Sequence, residues 1–169
     1  MNSIPIEIER KFLIRIPAYE IMESQKNFHV RKITQTYLQS EGKKNARVRS
    51  IAENGETTYI KTVKERISTL SCFEDERAIS RSEYENLLLI TDKEKKSIYK
   101  TRYSFEYFNH VLEIDVYEFW DDRATLEIEL SSEDEEFSIP SFIEVIKEIS
   151  ADKRYKNTNL AKSVPYDEI

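Results

Sequence analysis

Glycine and cysteine are nearly absent from this sequence, which has 2 glycines and 1 cysteine among 169 residues. The scarcity of glycine excludes the glycine-rich loops by which Walker-type and dinucleotide-binding folds hold phosphate. The lone Cys72 excludes an internal disulfide and gives no sign of a zinc site, so we expect a reducing, cytoplasmic setting. No apolar run approaches the roughly 20 residues needed to cross a membrane. The charged segment Met1–Lys11 also lacks the apolar stretch of a signal peptide.

Charged residues are abundant instead. They make up 34% of the chain, and the net charge is −6, whereas a typical charged fraction is about 25%. An acidic chain is a poor general ligand for nucleic acids, so we expect neither nucleic acid nor a membrane as a partner. The length fits one domain spanning residues 1–169.

Short strands with alternating apolar and polar residues run through most of the sequence. The dipeptide Asn54-Gly55 predicts a two-residue hairpin turn between two of these strands. The predicted strands are Pro5–Ile16, Arg31–Gln39, Ala46–Ala52, Thr57–Lys64, Cys72–Ser80, Ser97–Phe108, His110–Phe119 and Thr125–Ser131.

Helices are predicted over Ser82–Thr91 and Pro140–Ser150, with a shorter one near Tyr19–Ser24. Ser80 or Ser82 can cap the first helix, and an apolar stripe at helical spacing supports the second. Many antiparallel strands with few helices predict an α+β protein dominated by a barrel or a strongly curved sheet.

Pairs of like charges recur at every second position of the predicted strands. The pairs are Glu7/Glu9, Arg47/Arg49, Glu74/Glu76, Lys100/Arg102, Glu113/Asp115 and Glu127/Glu129, with Lys11 two positions beyond the first pair and Lys61 alone between Ile60 and Thr62. Residues at such spacing share one face of a strand. One such pair is compatible with a solvated sheet face. The recurring set indicates more, because a cation can hold several carboxylates together and a polyphosphate can hold several Arg and Lys residues.

The segments that carry these charges resemble motifs of the CYTH domain family, also called the triphosphate tunnel metalloenzymes. The stretch Glu7-Ile8-Glu9-Arg10-Lys11 resembles the family's ExExK signature. Later segments resemble further family motifs in order and spacing: Arg47-Val48-Arg49, Tyr59-Ile60-Lys61, Lys100-Thr101-Arg102-Tyr103, Leu112–Val116, Leu126–Glu129 and Asp152–Asn157. The resemblance covers nearly the whole chain.

This resemblance implies an α+β fold in which an eight-stranded antiparallel β-barrel forms a tunnel. Helices are expected to pack on the outside, with a helical segment at the C-terminus. Family members bind a triphosphate with a divalent metal, and they include inorganic triphosphatases, thiamine triphosphatases, class IV adenylate cyclases and RNA triphosphatases. The compact length and the KTRYS and DKRYKN segments look closest to small bacterial members that hydrolyse inorganic tripolyphosphate. We therefore expect a small-molecule triphosphate as substrate and a monomer or homodimer.

The resemblance also implies roles for individual residues. The implied cofactor is Mg²⁺ or Mn²⁺, since hard cations prefer carboxylate oxygens. The implied metal ligands are Glu7, Glu9, Asp115, Glu127 and Glu129. The implied triphosphate-binding residues are Lys11, Arg47, Arg49, Lys61, Lys100, Arg102 and Arg154. The implied catalytic residues are Lys11, Glu76, Arg102 and Asp115.

Several alternatives to tripolyphosphate hydrolysis stay open, because a fold alone does not choose a reaction. Nucleoside triphosphates are possible further substrates. The chain is alternatively a class IV-type adenylate cyclase, which needs a pocket for base and ribose, or a thiamine triphosphatase. A non-enzymatic sensor of polyphosphate or nucleotide is the remaining interpretation, against which the acidic set argues. One departure from the family pattern is Cys72-Phe73, which stands where an Arg or Gln usually precedes an acidic pair.

Overall fold

Strands make up most of the chain in a computed structural model that describes residues 5–40 and 42–169. The strands are β1 (Ile6–Arg15), β2 (Lys26–Tyr37), β3 (Lys44–Glu53), β4 (Glu56–Arg66), β5 (Ser71–Ile79), β6 (Ile98–Tyr107), β7 (His110–Tyr117), β8 (Arg123–Glu129) and β9 (Val145–Glu148). The α-helices are α1 (Tyr19–Glu23), α2 (Arg81–Leu87) and α3 (Asn157–Leu160). Short 3₁₀ turns lie at Leu88–Ile90, directly after α2, and at Lys153–Tyr155, just before α3. All eight predicted strands are confirmed, with ends shifted by a few residues.

The first eight strands close into an antiparallel barrel. Around it the order is β1-β8-β7-β6-β2-β3-β4-β5, and β5 returns to β1. The closing seam is short, because β5 pairs with β1 only through Ile6–Ile8. The predicted fold class is confirmed: the molecule is a closed eight-stranded antiparallel β-barrel with one extra strand and few helices.

The predicted hairpin turn joins β3 to β4. Glu53 pairs with Glu56, so Asn54 and Gly55 form a two-residue loop. Both loop residues have positive φ, 50° at Asn54 and 80° at Gly55. Turns of this kind match the twist of the strands that they join, and they favour Asn and Gly for that reason.

The predicted helices near Tyr19–Ser24 and Ser82–Thr91 are confirmed as α1 and α2, although α2 gives way to a 3₁₀ turn after Leu87. Ser80 caps α2, since its hydroxyl accepts a hydrogen bond from the Glu83 backbone N–H at 3.0 Å.

The helix predicted over Pro140–Ser150 is wrong, because this segment contains β9. The cause lies on β1, whose edge is left open beyond the short seam with β5. The Ile149 N–H donates to the Lys11 carbonyl at 2.8 Å, and the Arg15 N–H donates to the Glu144 carbonyl at 3.0 Å. Satisfying these backbone groups outweighs the helical spacing of the apolar residues.

Apolar side chains pack in two places, outside the barrel wall and at one end of the bore. The outer cluster lies on β1 and β6–β8 and contacts α1 and the segment before β9; its members include Phe12, Ile14, Met22, Phe105, Leu112, Ile114, Leu126, Ile128 and Ile143. The second cluster joins the bore to the C-terminal segment; its members include Leu13, Tyr37, Ile98, Tyr117, Trp120, Ile149, Tyr155 and Leu160. Within the described residues, no helix combines the length and apolarity required to span a membrane.

We predict that Gly55→Ala lowers the free energy of unfolding by about 1 kcal/mol, because an alanine at φ 80° is strained. Urea denaturation followed by circular dichroism measures this change. The adjacent strand variant Glu56→Ala is the control and should change stability less. A Gly55→Ala protein as stable as the parent would contradict the assigned turn.

Candidate functional site

The bore of the barrel contains a cavity of about 560 Å³ with an unusual concentration of charge. Its lining includes nine carboxylates and five cationic side chains; we call it the acidic cavity. Eight of the residues predicted for the site line it: Glu7, Glu9, Arg47, Arg49, Glu76, Arg102, Glu127 and Glu129. The charged faces of the strands therefore point inward, and the apolar faces of β1, β7 and β8 point outward.

Carboxylates from β1 and β8 meet on one wall of the acidic cavity. Glu9 lies directly across from Glu129 in the strand register. Within residues 5–40 and 42–169, neither side chain has a hydrogen-bond or ion-pair partner. Burial, together with the charges of Glu127 and Glu7, raises the pKa of Glu9 to about 7. Burial and the charges of Glu7 and Glu113 also raise the pKa of Glu129.

Lys64 of β4 lies between Glu7 of β1 and Glu74 of β5. Its ammonium group bonds to Glu7 at 2.5 Å and pairs with Glu74 at 3.0 Å. Burial alone would raise the pKa of Glu7, but the charge and the hydrogen bond of Lys64 leave it lowered. Lys64 therefore neutralises part of the carboxylate cluster.

Two arginines from β3 form the cationic wall. The Arg49 guanidinium donates to Glu76 at 2.7 Å, and the Thr62 hydroxyl donates to the same carboxylate at 3.0 Å. Burial and the neighbouring charge of Arg47 lower the pKa of Arg49 to about 10. The Nε atoms of both arginines are buried without a hydrogen-bond partner among the described residues. Neither Nε donor is therefore satisfied by the described part of the protein.

The floor of the bore is a buried ion cluster centred on Asp115. Its carboxylate accepts from Lys100 at 2.6 Å and from Arg102 at 2.7 and 2.8 Å. Arg102 also donates to Glu113 at 2.7 Å and to Glu127 at 3.3 Å. Burial would raise the pKa of Asp115, yet the two cations hold it far below its usual range.

The same cations reach Glu127, which pairs with Lys11 at 3.2 Å. Against the effect of burial, Lys11 and Arg102 lower the pKa of Glu127 to about 2. Both oxygens of Asp115 are taken by protein donors, so its placement favours a role in positioning Lys100 and Arg102. The geometry does not set it beside Glu9 and Glu129 as a ligand.

The prediction that Lys61 faces the triphosphate is wrong, because Lys61 lies on the outer face of β4. The two-residue turn fixes the register, so Lys61 pairs with Val48 and Ile60 pairs with Arg49. Residues that pair across two strands share a face. The inward-facing lysine of this strand is Lys64, which sequence reasoning missed although the predicted Asn54-Gly55 turn contains the required register.

The structure also contradicts the prediction that Arg154 reaches the terminal phosphate. Its guanidinium is exposed and pairs with Asp152 at 2.7 Å and with Asp167 at 2.9 Å. The residue of this segment that lines a cavity next to the bore is Lys156, to which sequence reasoning assigned no role. No charge pattern distinguishes these two residues in the sequence, because the 3₁₀ turn decides which one faces inward.

The donor chemistry of the acidic cavity fits a hard divalent cation. In the described part of the chain, no three His, Cys, Asp or Glu side chains stand close enough to hold a metal ion by themselves. Magnesium sites in proteins commonly use one or two carboxylates and complete the shell with water and substrate phosphates. The unpaired carboxylates of Glu9 and Glu129 suit such a shared site.

We predict that Lys64→Met weakens the binding of a non-hydrolysable imido analogue of tripolyphosphate by at least about tenfold, because a charge-assisted contact is lost. Isothermal titration calorimetry in the presence of Mg²⁺ measures this change. Lys61→Met is the matched control on the same strand and should stay within about twofold of the parent. Equal losses in the two variants would contradict the assigned register.

We predict that Glu9→Gln stabilises the protein in EDTA at pH 8 by about 1 kcal/mol, since it removes a buried carboxylate held among other carboxylates. Thermal or urea denaturation measures the gain. Glu136→Gln, at an exposed position, is the control and should leave stability unchanged. Loss of stability in Glu9→Gln would show that Glu9 makes a favourable contact instead.

Comparison with known proteins agrees with this architecture. The family model for the CYTH domain matches residues 5–163. Two crystal structures of NE1496 have TM-scores of 0.58; the one described as an inorganic triphosphatase is 28% identical and covers 98% of this chain and 99% of that one. PH1819 from Pyrococcus horikoshii OT3 is 19% identical, with a TM-score of 0.57 and coverage of 76% and 80%, and shows the same fold. A search among curated proteins found no match. The chain belongs to the CYTH domain family.

Proposed function

We propose that this protein is a divalent-metal-dependent triphosphatase whose substrate is inorganic tripolyphosphate. The observation that carries the proposal is the division of one cavity into a cationic wall and a wall of unpaired carboxylates. A phosphate chain needs the first, and the metal that accompanies it needs the second. The similarity to NE1496, described as an inorganic triphosphatase, over nearly the full length of both chains supports the same reaction.

The cationic side chains bind and orient the phosphate chain in this proposal. Arg47 and Arg49 offer planar forks that match two phosphate oxygens at once. Lys64 and Arg102 add charge from neighbouring walls of the same cavity. Lys100 is held behind Arg102 by Asp115, and burial lowers the pKa of Lys100 to about 8. Together these residues offset the charge that otherwise repels a nucleophile.

The acidic residues hold the cation and orient its neighbours. Glu9 and Glu129, together with water and substrate oxygens, would hold Mg²⁺ or Mn²⁺, which when bound would supply charge neutralisation and an acidified water. Glu7 lies beside them and could join the ligands only by giving up its bond to Lys64. Glu76 positions Arg49 through their direct bond, and Glu127 positions Lys11 and Arg102. Lys11 is further fixed because its ammonium group donates to the Tyr155 carbonyl at 3.0 Å. These contacts keep the cations aimed at the cavity.

A nucleoside triphosphate is a second candidate substrate, favoured by one apolar patch. Ile33 and Ile51 pair across β2 and β3, and Ile60 lies beside them on the wall of the acidic cavity. A bare phosphate chain gains nothing from apolar contact, whereas the base of a nucleotide buries apolar surface there. Hydrolysis and cyclisation of ATP give different products, so one assay separates them.

We predict that the protein releases orthophosphate from tripolyphosphate with Mg²⁺ or Mn²⁺ and that EDTA abolishes the release. Glu129→Gln should lower turnover at least about 100-fold, because a ligand of the cation loses its charge. Glu136→Gln is the control and should leave turnover unchanged, and circular dichroism should show both variants folded.

The products formed from ATP distinguish a triphosphatase from a cyclase. Orthophosphate and ADP indicate hydrolysis, whereas cyclic AMP and pyrophosphate indicate a cyclase. Binding of both triphosphates without turnover would refute the enzymatic proposal in favour of a sensor. Full activity of Glu129→Gln would refute the assigned cation site.

A further inference from the structure

A second, smaller cavity of about 210 Å³ opens at the other end of β3 and β4, away from the Asn54-Gly55 turn. It shares Glu9, Arg47, Lys64 and Asn157 with the acidic cavity, so the two cavities adjoin each other. The second cavity has the opposite charge. Its cations are Lys11, Lys43, Arg47, Lys64, Arg66 and Lys156. Glu9 is the one carboxylate among its described lining residues. We call it the basic opening.

Arg47, Arg66 and Lys156 of the basic opening have no acidic partner among the described residues. Arg66 and Lys156 make no ion pair with any residue in the ranges 5–40 and 42–169. Arg47 reaches only the side-chain oxygen of Gln35, at 3.4 Å, and its Nε is buried without a partner among the described residues. Lys64, by contrast, is neutralised by two carboxylates. The positive charge that has no described carboxylate partner is therefore carried by Arg47, Arg66 and Lys156.

Burial and repulsion among these cations lower the pKa of Lys156. The repelling charges are those of Arg66 and Lys11. Like charges brought together in a partly dehydrated opening are unfavourable unless an anion joins them. The whole chain carries a net charge of −6, so this cluster of cations contrasts with the rest of the protein.

We propose that the basic opening is a second anion site, at which Arg47, Arg66 and Lys156 hold a phosphate group outside the acidic cavity. The site extends the proposed function, since a phosphate group arrives there from one of two sources. One source is the orthophosphate released by hydrolysis. The other is the far end of a phosphate chain longer than three units that threads through the bore. Binding there needs no divalent cation, because fixed cations outnumber carboxylates in the opening.

Titration with inorganic phosphate in EDTA tests the site without any turnover. Wild-type protein should bind phosphate, and the double variant Arg66→Gln/Lys156→Gln should bind at least about tenfold more weakly. Lys32→Gln/Lys93→Gln removes the same charge from two exposed positions outside the cavity and should stay within about twofold. Circular dichroism and thermal denaturation check that both double variants are folded.

Two outcomes would overturn the proposal. One is the absence of phosphate binding by the wild-type protein. The other is equal binding by the wild type and the Arg66→Gln/Lys156→Gln variant, which would show that Arg66 and Lys156 do not hold the anion. Because this titration involves no hydrolysis, a protein that binds phosphate here yet leaves tripolyphosphate intact would refute the proposed function alone.

Steady-state kinetics with Mn²⁺ distinguish the two sources. If the site holds released orthophosphate, the double variant should show weaker inhibition by orthophosphate and an unchanged KM for tripolyphosphate. If it holds the end of a longer chain, the KM for linear tetrapolyphosphate should rise several-fold more than the KM for tripolyphosphate. A double variant with both inhibition and KM values unchanged would contradict a role for the site in the reaction.

Discussion

Asp115 lies fully buried on β7, and both of its carboxylate oxygens are bonded to cations of β6. This cluster makes it possible for Lys100 and Arg102 to point into a dehydrated bore. Removal of one partner from a buried ion pair leaves a charge without compensation and costs about 3–5 kcal/mol. The floor therefore constrains the rest of the site, because Arg102, which is bonded to Asp115, also contacts Glu113 and Glu127.

The wall formed by Glu9 and Glu129 differs from this floor, because neither carboxylate has a hydrogen-bond or ion-pair partner among the described residues. Glu9 and Glu129 face each other across β1 and β8, and their pKa values are raised. The carboxylates of the bore therefore fall into two classes: those of the floor pair with Lys11, Lys100 and Arg102, and those of Glu9 and Glu129 have no partner among the described residues. One class orients cationic side chains, and the other is available to a ligand with positive charge.

The fold was largely predictable from the sequence, because strand alternation and the Asn54-Gly55 turn are local signals. The same alternation assigned the paired charges to one face of each strand, and the resemblance to a tunnel family implied that this face points inward. The prediction failed at Lys61, where a single lysine carries no alternation of its own and only the register across the hairpin assigns its face. It failed again over Pro140–Ser150, where helical spacing is a local signal but the open edge of β1 is a tertiary one. The metal and the individual roles of Glu7, Glu9 and Glu129 stay predictions, since the sequence and the fold define positions and not occupancy.

The strand β1 has three partners that come from distant parts of the sequence. Its pairing with β5, β8 and β9 joins residues 6–15 to residues near 72, 126 and 147. Contacts between residues so far apart form late, because a long loop must close before they contribute stability. During synthesis from the N-terminus, the Glu9–Glu129 wall cannot exist until β8 has emerged, and the edge of β1 stays open until β9 arrives. During synthesis the hairpin of β3 and β4 is therefore complete in sequence well before the two strands that form the carboxylate wall are both present.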